Sequence, residues 1–132
     1  MKFTIKGRLP NLNDITNSSR GNYHKANKQK QYAQEYISLF LPKCKVKQYP
    51  VWVYVVYFER DRRRDVDNIA AGGNKVLMDA MKNHGLITDD SPKYVEQVIS
   101  IVQYDKCNPR IEVTVSDKTY MNNFMKIYCK LK

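Results

Sequence analysis

The stretch VWVYVVYFER, Val51 to Arg60, opens with an unbroken run of β-branched and aromatic side chains. Such a run reads as a central strand buried on both faces. A strand of this kind needs neighbours on either side and a covering layer above and below, which calls for a sheet with packed helices. With 132 residues the chain has room for one domain with one modest core. A hydrophobic fraction of 42% and 10 tyrosines fit a folded globule and not a disordered chain.

The other elements follow from periodicity. Phe3 to Leu9, FTIKGRL, alternates apolar and polar residues as a half-buried strand does, and Pro10 follows it. The next segment, PNLNDITNSSRGN, reads as a long polar loop. From Lys25 to Leu41, Tyr32, Tyr36, Leu39 and Phe40 fall near helical spacing, with Pro42 after the end. A second helix is predicted from about Asp67 to Asn83, carried by Ile69, Val76, Leu77, Ala80 and Met81 and stopped by Gly85. Gly72 and Gly73 weaken its early part, each by about 1 kcal/mol relative to Ala, so local irregularity is expected there. Tyr94 to Tyr104 and Arg110 to Ser116, separated by the turn residues DKCNP, read as a hairpin. In the tail, Tyr120, Phe124, Ile127, Tyr128 and Leu131 form the stripe of an amphipathic helix. That stripe is expected to pack on its own domain and not on a second subunit.

Charge narrows the function. Counting 23 Lys+Arg against 13 Asp+Glu leaves a net charge of +10, a potential that attracts polyanions, nucleic acid first. No run of about 18 apolar residues and no cleavable amino-terminal signal is present, so a cytoplasmic protein without membrane association is expected. Cys44, Cys107 and Cys129 are odd in number and far apart, which argues against a disulfide framework or structural zinc and for reduced thiols.

Against this basic background the scarce carboxylates gather beside the densest positive charge. RRRDVDN, Arg62 to Asn68, runs three arginines into an Asp-x-Asp pair, and TDDSP, Thr88 to Pro92, supplies a second acidic pair after the helix. A structural account exists: Asp65 caps the helix, Asn68 supports the cap and Asp89 makes a turn. The combination of two carboxylates at a helix start, a third acid beyond it, a lysine on the helix and a basic flank points instead to a metal-dependent phosphodiesterase. Hard Mg²⁺ or Mn²⁺ takes carboxylate oxygens, keeps several waters and accepts phosphate oxygens as its remaining ligands. It acidifies bound water and neutralises charge on the phosphoryl oxygens, a task that a nearby lysine or arginine shares. The acids thus stand where a cation sits, and the basic surface with Arg62, Arg63 and Arg64 draws in the polyanion.

RRRDVDN, then Lys75, then LMDAMKNHGLITDD together resemble the signature of the RusA family of Holliday-junction resolvases, small homodimeric Mg²⁺-dependent endonucleases that cut four-way DNA junctions. The likeness runs from the first strand to RIEVTVS, which implies an endonuclease domain over 1–116 and a carboxy-terminal amphipathic extension over 117–132. By position it assigns the catalytic and metal-binding aspartates to Asp65, Asp67 and Asp90, the catalytic lysine to Lys75 and the motif arginine to Arg64, with Asn68 completing the element. Asp89 matches less closely, and Asp79 matches a helix acid with a structural role. The interval from Asp67 to Lys75 is longer than in the family pattern, so Lys75 reaches the acids only if IAAGG loops or bulges out. Lys25 and Lys28, a charge run before the first helix's apolar face, join the arginines as expected DNA contacts.

The expected architecture is therefore a compact α+β domain: a mixed or mainly antiparallel sheet of about four strands, two packed helices and a carboxy-terminal helix. Its expected partners are branched DNA and a second copy of itself, with Mg²⁺ and no small-molecule cofactor. A homodimer suits a junction, whose two symmetric scissile strands need one site each. A nuclease for other branched DNA, or a DNA-binding module without catalysis, are the alternatives; the latter leaves the aspartates unexplained.

Overall fold

The computed structural model describes residues 1–7, 9 and 23–129, and the side chains of all of these except 23–27. The polar loop expected after the first strand lies outside the described residues. The chain runs β1 (Lys2–Lys6), α1 (Tyr23–Ser38), β2 (Val51–Glu59), α2 (Val66–Asn83), β3 (Val95–Tyr104) and β4 (Arg110–Ser116). It closes with a 3-10 turn (Lys118–Tyr120), a short helix α3 (Met121–Phe124) and a π-helical turn (Met125–Cys129). Among the described residues no helix is long and apolar enough to cross a membrane.

The four strands make one mixed sheet in the order β1-β4-β2-β3, in a single α+β domain. β2 is interior, as its run of apolar residues requires, paired antiparallel with β4 and parallel with β3. The parallel pair is joined by α2, since parallel strands need a crossover. β3 and β4 do not form the expected hairpin, because β2 lies between them. Their connection steps over the end of β2: the Asp105 N–H donates to the Glu59 carbonyl at 2.8 Å, and Arg110 returns to Asp105 at 2.9 Å. Placing the most apolar strand in the middle gives it two hydrogen-bonded ladders, and that gain outweighs the local turn signal.

The sheet is covered on both faces. On one, Val51, Val53, Val55 and Tyr57 of β2 pack with Phe3, Ile5, Ile111, Val113 and Val115 against Ala33 and Ile37 of α1 and Ile69, Val76, Leu77, Ala80 and Met81 of α2. On the other, Tyr54, Val56 and Phe58 meet Phe124, with Tyr120, Met121, Met125 and Tyr128 around it. The tail packs on its own domain, as expected. Its helix is shorter than the stripe implied: the π-helical turn keeps Tyr128 against the sheet and rotates Ile127 outward, to 52% exposure. Leu131 lies outside the described residues. The tail is tied down where the Tyr128 hydroxyl receives a bond from Lys2 at 3.2 Å and the Gln103 amide donates to the Tyr128 carbonyl.

The pair Gly72–Gly73 does not interrupt α2, which is continuous from Val66 to Asn83 with both glycines buried. A Cβ on Gly73 would stand 2.6 Å from the Tyr57 ring and hydroxyl, so the glycine lets the helix approach the sheet. The Tyr57 hydroxyl then donates to the Asn74 side-chain Oδ1 at 2.5 Å, and the Asn74 Nδ2 donates to the Ser100 hydroxyl at 2.7 Å, linking β2, α2 and β3. Burial pushes the Tyr57 pKa far up, which keeps this hydroxyl a donor. Two effects compete in Gly73→Ala: helix propensity favours Ala by about 1 kcal/mol, while overpacking a buried ring costs about 1–3 kcal/mol. Because Tyr57 is 2% exposed and cannot swing away, the second wins. Urea unfolding should find the variant destabilised by about 1–2 kcal/mol; a stabilised variant would refute the close-approach explanation. Gly85, at φ +81°, ends the helix as expected. Cys44 and Cys107 are exposed and Cys129 is half-buried, all as free thiols.

Candidate active site

The end of β2 delivers the chain into the arginine segment. Asp61, unremarked in the sequence, fixes this turn: its carboxylate accepts from the Arg63 N–H at 3.0 Å and lies 3.6 Å from Arg60 and 3.8 Å from Arg63. The Arg63 N–H and then these two cations hold its pKa below the usual carboxylate value. Arg62 is exposed, with its guanidinium 4.1 Å from the Tyr104 ring centroid. Arg63 is exposed, its side chain 85% accessible. Arg64 turns inward to Glu59 at 3.3 Å and donates to the Leu9 carbonyl at 2.9 Å. Glu59 is the last residue of β2 and 2% exposed, so this pair clamps the loop to the sheet.

Asp65 follows directly at the N-cap of α2, in extended conformation, and its side chain makes no capping bond. Asp67 lies in the first helical turn. Both are exposed, and neither carboxylate is taken up by another described side chain or backbone group. Asn68 beside them is half-buried.

The second acidic pair sits towards the other end of α2. Lys82, in the last turn, lies 3.1 Å from Asp89 and 4.0 Å from Asp90. Its ammonium group, aided by the Asp90 N–H and the Ser91 hydroxyl, pulls the Asp89 carboxyl down to about 2. A carboxylate depressed on folding contributes stability that is full above its ordinary 3.8 and lost as pH falls through about 2. In Lys82→Met, carbon-detected NMR should find Asp89 titrating above its parent value of about 2, with the Asp90 N–H and Ser91 hydroxyl still holding it below 3.8; a titration still near 2 would mean that the lysine is not the cause.

Lys75 and Asp90 line one groove of about 340 Å³ with Asn74, Met78, Val95 and Gln97. The lysine is paired with Asp79 at 3.4 Å, one turn on, which gives Asp79 its role. Since α2 runs unbroken, IAAGG neither loops nor bulges out as placing Lys75 among the acids required, and Lys75 stands eight residues from Asp67, roughly 12 Å along the axis. Lys75 and Asp90 thus share a groove, and Asp90 lies by Lys82 in the last turn of α2, whereas Asp65 and Asp67 stand at its start. Lys28 is exposed on α1; the Lys25 side chain lies outside the described residues. The free carboxylates of Asp65 and Asp67 suit a hard divalent cation as oxygen donors. Among the described residues, however, no three His, Cys, Asp or Glu side chains come together as a metal-binding set.

Comparison with known families gives a match: residues 12–116 match the model of the endodeoxyribonuclease RusA. The chain belongs to the RusA family. The match covers α1, β2, α2, β3 and β4, hence every acid and arginine above, and stops at the last residue of β4. β1 and the segment after Ser116 lie outside it. RusA membership makes the chain an endodeoxyribonuclease of the Holliday-junction class. No curated protein matches the chain.

Of the residues that matter here, Glu59, Asp61, Asn74 and Tyr104 were not singled out in the sequence. Glu59 had a legible signal, since an acid ending so apolar a strand requires a buried partner.

Proposed function

We propose that this RusA-family chain is a Mg²⁺-dependent endonuclease that hydrolyses phosphodiesters at four-way DNA junctions, as a cytoplasmic homodimer serving recombination and repair. The observation that carries the reading is the pair of unspent carboxylates, Asp65 and Asp67, on a helix start beside exposed arginines. Asp65, Asp67 and Asp90 are the metal ligands in this reading, with Mn²⁺ able to replace Mg²⁺. The ion supplies an acidified water and charge neutralisation at the phosphorus oxygens. Lys75, beside Asp90, presents its ammonium group to a phosphate oxygen, and Arg62, Arg63, Lys25 and Lys28 contact the DNA backbone. Asn68 steadies the acidic turn. Arg64 orders it through Glu59, acting on the DNA indirectly. Asp90 stands apart from Asp65 and Asp67 within one chain, which favours a dimer in which two copies complete each carboxylate set.

Synthetic mobile four-way junctions, forks and linear duplexes, incubated with and without Mg²⁺, test the reading. Junction-selective, Mg²⁺-requiring cuts are expected, and equal cutting of linear duplex would refute the junction assignment. Binding should also weaken steeply with salt, by a log–log slope of about −0.9 for each phosphate neutralised. Arg63→Ala should flatten that slope by about one contact; an unchanged slope would make Arg63 a solvated charge.

A further inference from the structure

We propose that the lysine segment between α1 and β2, Lys43, Lys45 and Lys47, is a second DNA-binding face, gripping duplex backbone at the end of β2 opposite the arginines. The sequence KCKVK puts three cations into five residues. All three are exposed, and none has a carboxylate or other partner among the described residues. Such a run is ordinarily a solvated face on a chain free to spread its charges. Here the chain is held. The Val46 N–H donates to the Leu86 carbonyl at 2.8 Å, and Val46 packs on the core between its exposed lysine neighbours. Three residues on, the Tyr49 hydroxyl accepts from the Thr88 N–H at 2.9 Å, and the Tyr49 ring meets Tyr94 edge-on at 5.2 Å. Lys93 adds a fourth exposed cation, 5.5 Å from the Tyr94 ring centroid. With the backbone fixed, these like charges stay close, and a polyanion that releases its own counterions relieves them together.

Shape and position select a nucleic-acid backbone as that polyanion. Lys45 and Lys47 form one wall of a groove of about 590 Å³, facing Met1, Val115 and Ser116. Its one acid, Asp117, spends its carboxylate on the Thr119 N–H at 2.9 Å. The lysines precede β2, and Arg62 and Arg63 follow it, so the strand holds the two cationic segments about 30 Å apart. A free phosphate or a nucleotide cannot reach both, whereas a duplex can. The Thr88 anchor also sets the lysines beside the loop of Asp89 and Asp90, so backbone gripped here runs past the second acidic pair. That the polyanion is DNA rests on the nuclease reading above; the fixed cationic cluster does not.

The test compares the full chain carrying Lys45→Gln with Lys47→Gln against one carrying Lys106→Gln with Lys126→Gln, which removes the same charge from exposed lysines elsewhere. Binding to a four-way junction and to a linear duplex is titrated by fluorescence anisotropy without Mg²⁺ while salt is raised fourfold. The first pair should lower the log–log slope by about 1.8 for each copy bound, narrowing the affinity ratio across that range about twelvefold. The control pair should leave the slope unchanged. A slope untouched by the first pair, or lowered equally by both, overturns the proposal. Lysine methylation of the unsubstituted protein, read by mass spectrometry, gives a second measurement: bound junction should protect Lys43, Lys45 and Lys47 and leave Lys106 open. Equal labelling with and without DNA overturns the proposal, as does competition by anionic phosphatidylglycerol vesicles that matches duplex at equal phosphate. Cleavage in Mg²⁺ separates the two readings. A parent protein that cuts junctions while the first pair leaves the slope intact refutes only the lysine face, and one that cuts nothing while that pair lowers the slope refutes only the nuclease.

Discussion

Asp67→Asn is expected to lower Mg²⁺-dependent junction cleavage by on the order of a thousandfold, about 4 kcal/mol of transition-state stabilisation. Junction binding should stay within a few-fold of the parent protein. The substitution keeps size and removes the charge from an exposed carboxylate that no described group uses, so no side-chain hydrogen bond or ion pair among the described residues is lost. Thermal unfolding should therefore be unchanged or slightly lower, through the lost helix-dipole interaction of about 0.3–1 kcal/mol. Single-turnover cleavage of a labelled junction, beside gel-shift titration, makes the check. Cleavage within tenfold of the parent would remove Asp67 from the site.

Arg64→Met should act the opposite way, on stability first. It leaves the Glu59 carboxylate, 2% exposed, without its counter-ion at 3.3 Å. Removing one partner of a buried pair costs about 3–5 kcal/mol, because the remaining charge is stranded. The Leu9 carbonyl also loses its guanidinium donor. The double variant Glu59→Leu with Arg64→Met should regain most of that loss, since replacing both ions with apolar groups is often neutral. Chemical denaturation of the three variants decides. A single-variant loss under about 1 kcal/mol would mean that Arg64 is not the clamp and serves the DNA directly.

Strong local signals were legible from sequence. β2 was readable because its apolar run admits no other placement, and α2 because its periodicity and Gly85 agree. The hairpin was misread because turn residues between β3 and β4 say only that the chain reverses, and the winning contacts lie with β2, far off in sequence. Gly73 was misread for a related reason: propensity penalises a glycine whose value depends on a ring in another element. At the site, residue types were readable and distances were not. The Asp-x-Asp spacing puts Asp65 and Asp67 on one turn, whereas the offset of Lys75 and Asp90 depends on whether α2 runs straight.

β1 reaches its partner across almost the whole chain, Lys2 opposite Thr114 and Lys6 opposite Arg110. Closing so wide a loop costs entropy before any contact repays it, so this strand docks late. Only two residues beyond Gly7, Leu9 holds the Arg64 guanidinium through its carbonyl. The segment bearing Asp65 and Asp67 is thus tethered to the strand whose pairing closes the widest loop in the sheet. A chain with everything but β1 in place has both carboxylates and their arginines yet lacks this restraint, so the acidic turn is expected to order fully only once β1 has docked.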